Sequence, residues 1–164
     1  MGTKRIGHAR IRALINENSN QMSIQRLRYI DGTATRTLTA GESGRVVLVG
    51  GAAAGLAADT IFSLPTATDG LYFKFVYVGN AADAQDFQIS TGSNTNYFLG
   101  GVLQHDIGGE DGAAYHPNGS SNSRCNILTP DCGTVIEVWC DGTNWFINGF
   151  ANTATDTGVT FANQ

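Results

Sequence analysis

The chain has 164 residues, which is enough for one domain with its own hydrophobic core, so disulfides or a structural metal are not needed for folding. Only 15% of the residues are charged and 21 are glycines, a composition that suits short strands and tight turns better than a helical enzyme. No run approaches the roughly 18 apolar residues of a membrane helix, and the N-terminal residues lack the apolar core of a signal peptide. We therefore expect no membrane partner and synthesis in a cytoplasm.

The charge is unevenly distributed along the chain. Residues 1–36 contain seven basic and two acidic side chains, a net charge of +5, whereas residues 37–164 contain three basic and twelve acidic ones, a net charge of −9. This asymmetry predicts a basic N-terminal arm, residues 1–34, attached to an acidic body, residues 35–164.

The arm contains two predicted elements. Residues 4–18 predict a short amphipathic helix, because Ile6, Ala9 and Ala13 recur at helical spacing and no glycine or proline interrupts residues 8–18. Residues 21–30 alternate loosely between apolar and polar side chains, which predicts an extended lead-in strand. A helix of this length is marginal alone and requires a partner surface.

The basic side chains of the arm have three interpretations. They could neutralise nucleic-acid phosphates, dock on an acidic protein surface, or belong to a solvated tail. The acidic, arginine-poor body argues against nucleic acid as the main partner, so docking on a protein is favoured. The candidate docking residues are four basic side chains and three apolar anchors, namely Lys4, Arg5, Arg10, Arg12, Ile6, Leu14 and Ile15.

From about residue 35, short apolar or alternating runs are separated by turn residues such as Asp69-Gly70 and Asp141-Gly142. The pattern predicts an all-β body, an antiparallel β-sandwich or a jelly-roll-like barrel. The clearest piece is a hairpin over 134–150, in which Trp139 and Trp145 are expected to pair across the strands. The predicted strands lie near residues 36–39, 45–49, 60–64, 71–78, 86–90, 97–103, 124–128, 134–140, 144–150 and 158–161.

Residues 104–123 form the longest polar, glycine-rich stretch and predict an irregular loop. Several of its side chains are of types that bind divalent cations, but their spacing matches neither an EF-hand nor an HExxH motif. A solvated loop is favoured, with an ion or recognition site as the alternative, and we expect no metal or cofactor. The residues concerned are His105, Asp106, Glu110, Asp111 and His116.

The sequence gives no indication of an enzyme. No GxSxG motif is present, and GGAAAG at 50–55 lacks the GK[ST] that completes a phosphate-binding loop. The three cysteines, Cys125, Cys132 and Cys140, do not form a CxxC motif and are predicted to be buried, reduced thiols, with a Cys125–Cys132 bridge as the alternative.

Several stretches carry a family resemblance. The opening MGTKRIGHARIRALINE, residues 1–17, is similar to the starts of capsid-associated proteins of cyanophages and other aquatic phages. The order TLTAGESGRVVLV (37–49), SLP (63–65), GLYFKFVYVG (70–79) and EVWCDGTNWFINGF (137–150) resembles β domains of phage decoration proteins and fibres. Residues 104–123 match no part of this pattern.

The resemblance implies a capsid decoration, or cement, protein on the exterior of the virion. In that interpretation the body forms a homotrimer, and the arm binds the major capsid protein and stabilises the shell. The alternative is a fibre or tail-spike domain that binds a host receptor or glycan through residues 104–123, with Tyr115 and His116 at the recognition surface.

Overall fold

The computed structural model describes Ile11, residues 28–109 and residues 111–164. The described residues form twelve strands and one short 3-10 helix, Ala40–Glu42, which confirms the prediction of an all-β protein. The strands are β1 (Tyr29–Gly32), β2 (Arg36–Thr37), β3 (Val46–Val49), β4 (Thr60–Ser63), β5 (Tyr72–Tyr77), β6 (Phe87–Ser90), β7 (Phe98–Asp106), β8 (Asp111–Tyr115), β9 (Arg124–Ile127), β10 (Val135–Cys140), β11 (Trp145–Thr153) and β12 (Val159–Ala162).

The strands belong to two sheets. One has seven strands in the order β1-β3-β5-β10-β11-β7-β8, and the other has five in the order β12-β9-β6-β4-β2. Both sheets are mixed: β1, β3 and β5 run parallel to one another, as do β2, β4 and β6, whereas β5-β10, β10-β11 and β6-β9 are antiparallel. The prediction of an antiparallel body is therefore wrong in strand direction.

The parallel pairs arise from the way in which the first half of the body winds. Strands β1 to β6 alternate between the two sheets, so each strand lies beside the strand two places earlier in the chain. A parallel pair needs a crossover connection, and here the intervening strand in the other sheet supplies it. The hairpin β10–β11 then extends the larger sheet, and β9 and β12 extend the smaller one.

The core lies where side chains of both sheets meet. Phe62 of the smaller sheet packs against Phe75 of the larger one with ring centroids 5.5 Å apart, and against Phe87 of the neighbouring strand at 6.4 Å. All three rings are completely buried, as are Trp145 and Ile136. Alternation places these residues on the inner face of each strand, which is the pattern that period two in the sequence predicts.

The start of the body and the predicted long loop both differ from expectation. Tyr29–Gly32 pairs in register with Val46–Val49, so the larger sheet begins before the boundary predicted at residue 35. The prediction that 104–123 is irregular is wrong for residues 104–106 and 111–115, because β7 continues to Asp106 and pairs with β8 in a hairpin, and it is confirmed for residues 116–123, which form no strand. The sequence does not predict β8, because glycine and alanine, which make up most of it, have no strong preference for strands.

The hairpin β10–β11 confirms the predicted turn and corrects the predicted tryptophan pair. Asp141 Oδ1 accepts hydrogen bonds from the backbone N–H groups of Thr143 and Asn144, at 2.8 and 2.7 Å, and so closes the turn. The register pairs Trp139 with Phe146 and Cys140 with Trp145. The two tryptophans therefore point to opposite faces of the sheet, and only Trp145 belongs to the core.

The cysteines are free thiols, and among the described residues no disulfide joins them. Cys125 and Cys140 are buried as predicted, and burial raises the pKa of the Cys125 thiol. Cys132 is exposed, contrary to the prediction. Within the described ranges, no helix has the length and apolar character needed to cross a membrane.

Candidate functional site

The larger sheet has an outer face that is unusually rich in aromatic and aliphatic side chains. Cross-strand register and alternation place one set of outward side chains from β1, β3, β5, β10, β11 and β7 on this face. We call this surface the aromatic face. Its members are Tyr29, Asp31, Val46, Leu48, Tyr72, Lys74, Val76, Val135, Glu137, Trp139, Phe146, Asn148, Phe150, Asn152, Leu99, Leu103 and His105.

Four large side chains of the aromatic face are substantially exposed. The exposed fractions are 59% for Tyr29, 58% for Leu103, 43% for Phe150 and 40% for Trp139. Soluble monomers seldom expose contiguous apolar patches of more than a few hundred Å², and such patches commonly mark interaction sites. The aromatic face is therefore the surface of the described body best suited to contact another molecule.

Two stacked pairs of aromatic rings fix the shape of this face. The ring of Trp139 stacks on that of Phe146 with centroids 5.8 Å apart and an interplanar angle of 10°. The imidazole of His105 stacks on Phe150 at 6.4 Å and 16°. Both pairs stand on paired strands, so the rings are held before any partner arrives, and a partner that binds them loses little of its affinity to ordering them.

A single ion pair lies near the middle of the aromatic face. Lys74 Nζ is 3.0 Å from Glu137 Oε1 across the paired strands β5 and β10. The hydrogen bond from Lys74 holds the pKa of Glu137 below its usual range, with a further contribution from the Tyr72 hydroxyl. Burial, together with the nearby Glu137 carboxylate, raises the pKa of Tyr72. The pair leaves the centre of the face without net charge.

At one end of the face, the outward side chains of β1, β3 and β5 line a shallow groove of about 420 Å³. Tyr29, Val46, Leu48, Tyr72 and Val76 line it, together with Gly44 and Lys74. The lining is mostly apolar, and Tyr72 is the cross-strand partner of Trp139, one of the stacked rings. It can accept an apolar side chain of a partner.

Replacing Glu137 by glutamine is expected to reduce the acid sensitivity of the body. The folded-state pKa of Glu137 is lowered, so its pairing with Lys74 stabilises the fold above the unfolded-state pKa, and this contribution is lost as pH falls through the folded pKa. The pair is one-third exposed, which limits the effect to about 0.2–1 kcal/mol. Urea unfolding of both proteins between neutral pH and about pH 3 measures it. An identical loss of stability in the variant would contradict this role.

The arm residues predicted to dock on a partner lie outside the described residues, and their role stays a prediction. They are Lys4, Arg5, Ile6, Arg10, Arg12, Leu14 and Ile15.

The predicted ion-binding residues are distributed along the β7–β8 hairpin. Asp106 and Asp111 lie opposite each other at its tip. Asp106 is buried, and its Oδ1 accepts a hydrogen bond from the Gly108 N–H at 2.9 Å. His105 instead faces outward, where it stacks on Phe150. The hairpin thus assigns these side chains to different faces of the sheet.

His116 follows β8 at the opposite end of the hairpin. Its Nδ1 lies 3.3 Å from the carbonyl oxygen of Gly100, a residue about 17 Å along β7 from His105. The Tyr115 hydroxyl donates to the Asp156 carbonyl oxygen at 3.1 Å. Glu110 lies outside the described residues. Among the residues that are described, no three His, Cys, Asp or Glu side chains are close enough together to share a metal ion.

Sequence reasoning missed the aromatic face, although a signal for it was present. The strands 72–77 and 145–150 have large apolar side chains in both phases of the alternation, which is more than one buried face requires.

Comparison of the chain with protein-family models, with curated proteins and with solved structures gives no match.

Proposed function

We propose that this protein is a structural, non-enzymatic component of a virus particle that decorates the outside of the major capsid shell. In this proposal the two sheets form a β-sandwich body, several bodies assemble into a homo-oligomer, expected to be a trimer, and the arms bind capsid subunits. The observation that carries the proposal is the aromatic face, because a rigid, exposed and largely uncharged sheet surface suits protein assembly.

The charge distribution supports the role of the arm. A net charge of +5 over residues 1–36 suits an acidic protein surface, and the −9 of the remaining residues keeps the body away from the same surface. Each exposed ion pair contributes little, so one arm alone binds weakly. An oligomer that presents several arms binds much more tightly, because the first contact raises the effective concentration of the others.

The mechanism follows from this multivalency. The arms of one oligomer bind different capsid subunits. They therefore oppose the separation of those subunits. Stabilisation of the shell against internal pressure then depends on the number of arms engaged. It does not require catalysis or a cofactor.

Deleting residues 1–20 is expected to abolish binding to undecorated capsid shells and to leave a folded, soluble body. Cosedimentation of the protein with purified shells measures binding, and circular dichroism checks the fold. A full-length variant with Arg5, Arg10 and Arg12 changed to glutamine should also bind weakly, with a reduced dependence on salt. Arg45→Gln, which removes one positive charge from the body, is the matched control and should bind as the wild type does.

Wild-type binding by the truncated protein would refute the docking role of the arm. Copy number separates the proposal from a fibre domain: decoration requires many copies per particle, whereas a fibre domain is present in few. Quantitative mass spectrometry of purified particles supplies this number.

A further inference from the structure

We infer that the aromatic face is the surface through which one copy of this chain binds a second copy. The inference rests on the proposed function and deepens it by assigning a surface to the self-association. The choice of a second copy as the occupant, in place of the capsid, assumes that the capsid surface bound by the arm is acidic.

The first argument is size. The six strands of this face, at a spacing of about 4.8 Å, make it about 24 Å wide, and the outward residues from Phe146 to Asn152 span about 20 Å along β11. The projected area is on the order of 500 Å². The face therefore approaches about 600 Å², the lower end of what each partner of a stable interface buries.

The second argument is charge. Residues 37–164 carry a net charge of −9, so two bodies repel each other over most of their surface. At the aromatic face, Lys74 and Glu137 neutralise each other, and the remaining carboxylate, Asp31, lies on the edge strand β1. Two copies can thus approach through this face with little electrostatic repulsion.

The same charges argue against an acidic protein as the occupant. Lys74 is the one cation among the outward side chains of the described strands of this face, and Glu137 already engages it at 3.0 Å. An acidic capsid surface would find no free positive charge there. A second copy presents the same aromatic rings and aliphatic side chains, which bury against each other without requiring a counter-charge. Such a contact is two-fold, so it gives an even number of copies and replaces the trimer expected above.

The ion pair is compatible with burial under a second copy. Burying a lone charge is costly, but Lys74 and Glu137 remain paired at 3.0 Å. The exposed rings of Trp139 and Tyr29 are of the residue types that supply most of the binding energy in protein interfaces.

The test measures the mass of the full-length protein by size-exclusion chromatography with light scattering over a range of concentrations. The wild type is expected to have a multiple of the 17.3 kDa chain mass. The double variant Leu103→Glu, Trp139→Glu should be monomeric, with its dissociation constant raised at least about a hundredfold. Ile61→Glu is the matched control, because Ile61 is an apolar residue with 39% exposure on the smaller sheet, and it should keep the wild-type mass.

A second measurement uses only the wild type and so does not depend on the folding of a variant. Self-association should protect Trp139 from acrylamide, so quenching of tryptophan fluorescence should decrease as protein concentration rises, while the buried Trp145 contributes a constant background. A wild type that is monomeric at all concentrations, with unchanged quenching, would overturn the inference. So would an Ile61→Glu variant that dissociates as fully as the double variant.

Other occupants give distinct results. A monomeric wild type that floats with neutral phosphatidylcholine vesicles would assign the face to a lipid surface and overturn the inference. A self-associating protein that does not bind capsid shells would refute the proposed decoration function and leave the self-contact intact. A protein that binds capsid shells as a monomer would overturn the self-contact and leave the binding of the protein to the shell intact.

Discussion

Replacing Phe62 by alanine is expected to lower the free energy of unfolding by about 3–5 kcal/mol. The ring of Phe62 is completely buried and contacts Phe75 of the opposite sheet and Phe87 of the adjacent strand, at 5.5 and 6.4 Å between centroids. Its removal leaves a cavity between the sheets that the paired strands cannot close. Since the free energy of unfolding of a domain is typically only about 5–15 kcal/mol, the variant should be close to unfolding even near room temperature.

The matched control is Phe150→Ala, the same substitution at a phenylalanine that is 43% exposed on the aromatic face. It should cost about 1 kcal/mol or less, through loss of the stacking on His105. Urea unfolding at a protein concentration low enough for both variants to be monomeric compares them, because self-association through the aromatic face would otherwise shift the apparent stability. Equal losses for the two variants would contradict a core located between the sheets.

The sequence predicted the strands well because burial on one face imposes period two. Val46–Val49, Tyr72–Tyr77 and Val135–Cys140 all lie within one residue of their predicted bounds. Strand direction could not be predicted in the same way, because alternation is identical in parallel and antiparallel sheets. The parallel pairing of β1, β3 and β5 depends on a winding between two sheets, a long-range property that no local pattern contains.

The aromatic face shows a second limit of local reasoning. Trp139 and Trp145 are equally apolar in the sequence, and their positions in the hairpin predict a cross-strand pair. The turn at Asp141-Gly142 fixes the register so that Trp139 pairs with Phe146, which places it on the outer face, while Trp145 points inward. A shift of one residue in the register would exchange the two environments, so the face could be assigned only from the pairing.

Replacing Gln104 by methionine is expected to lower the free energy of unfolding by about 2–4 kcal/mol. Gln104 is buried, and its Nε2 donates to Thr153 Oγ1 and to the carbonyl oxygen of Thr155, at 2.8 and 2.7 Å. Its Oε1 accepts from the buried Gly158 N–H at 3.0 Å. Methionine has a similar size but can restore none of these bonds, and each buried group left without a partner costs about 1–3 kcal/mol.

The same bonds connect β7 to the turn between β11 and β12, so Gln104→Met should also loosen that turn and increase amide exchange at Gly158. Gln88→Met is the matched control: Gln88 is half-buried on the smaller sheet, and within the described part of the chain its Oε1 accepts no hydrogen bond. This variant should be at least as stable as the wild type, because methionine removes a buried oxygen that has no hydrogen-bond partner among the described residues. Equal losses at both positions would show that side-chain volume, not the hydrogen bonds of Gln104, determines the stability of this region. A selective loss at Gln104 would show that a polar residue, in a stretch that the sequence predicts to be an irregular loop, stabilises β7, the strand that carries His105 of the aromatic face.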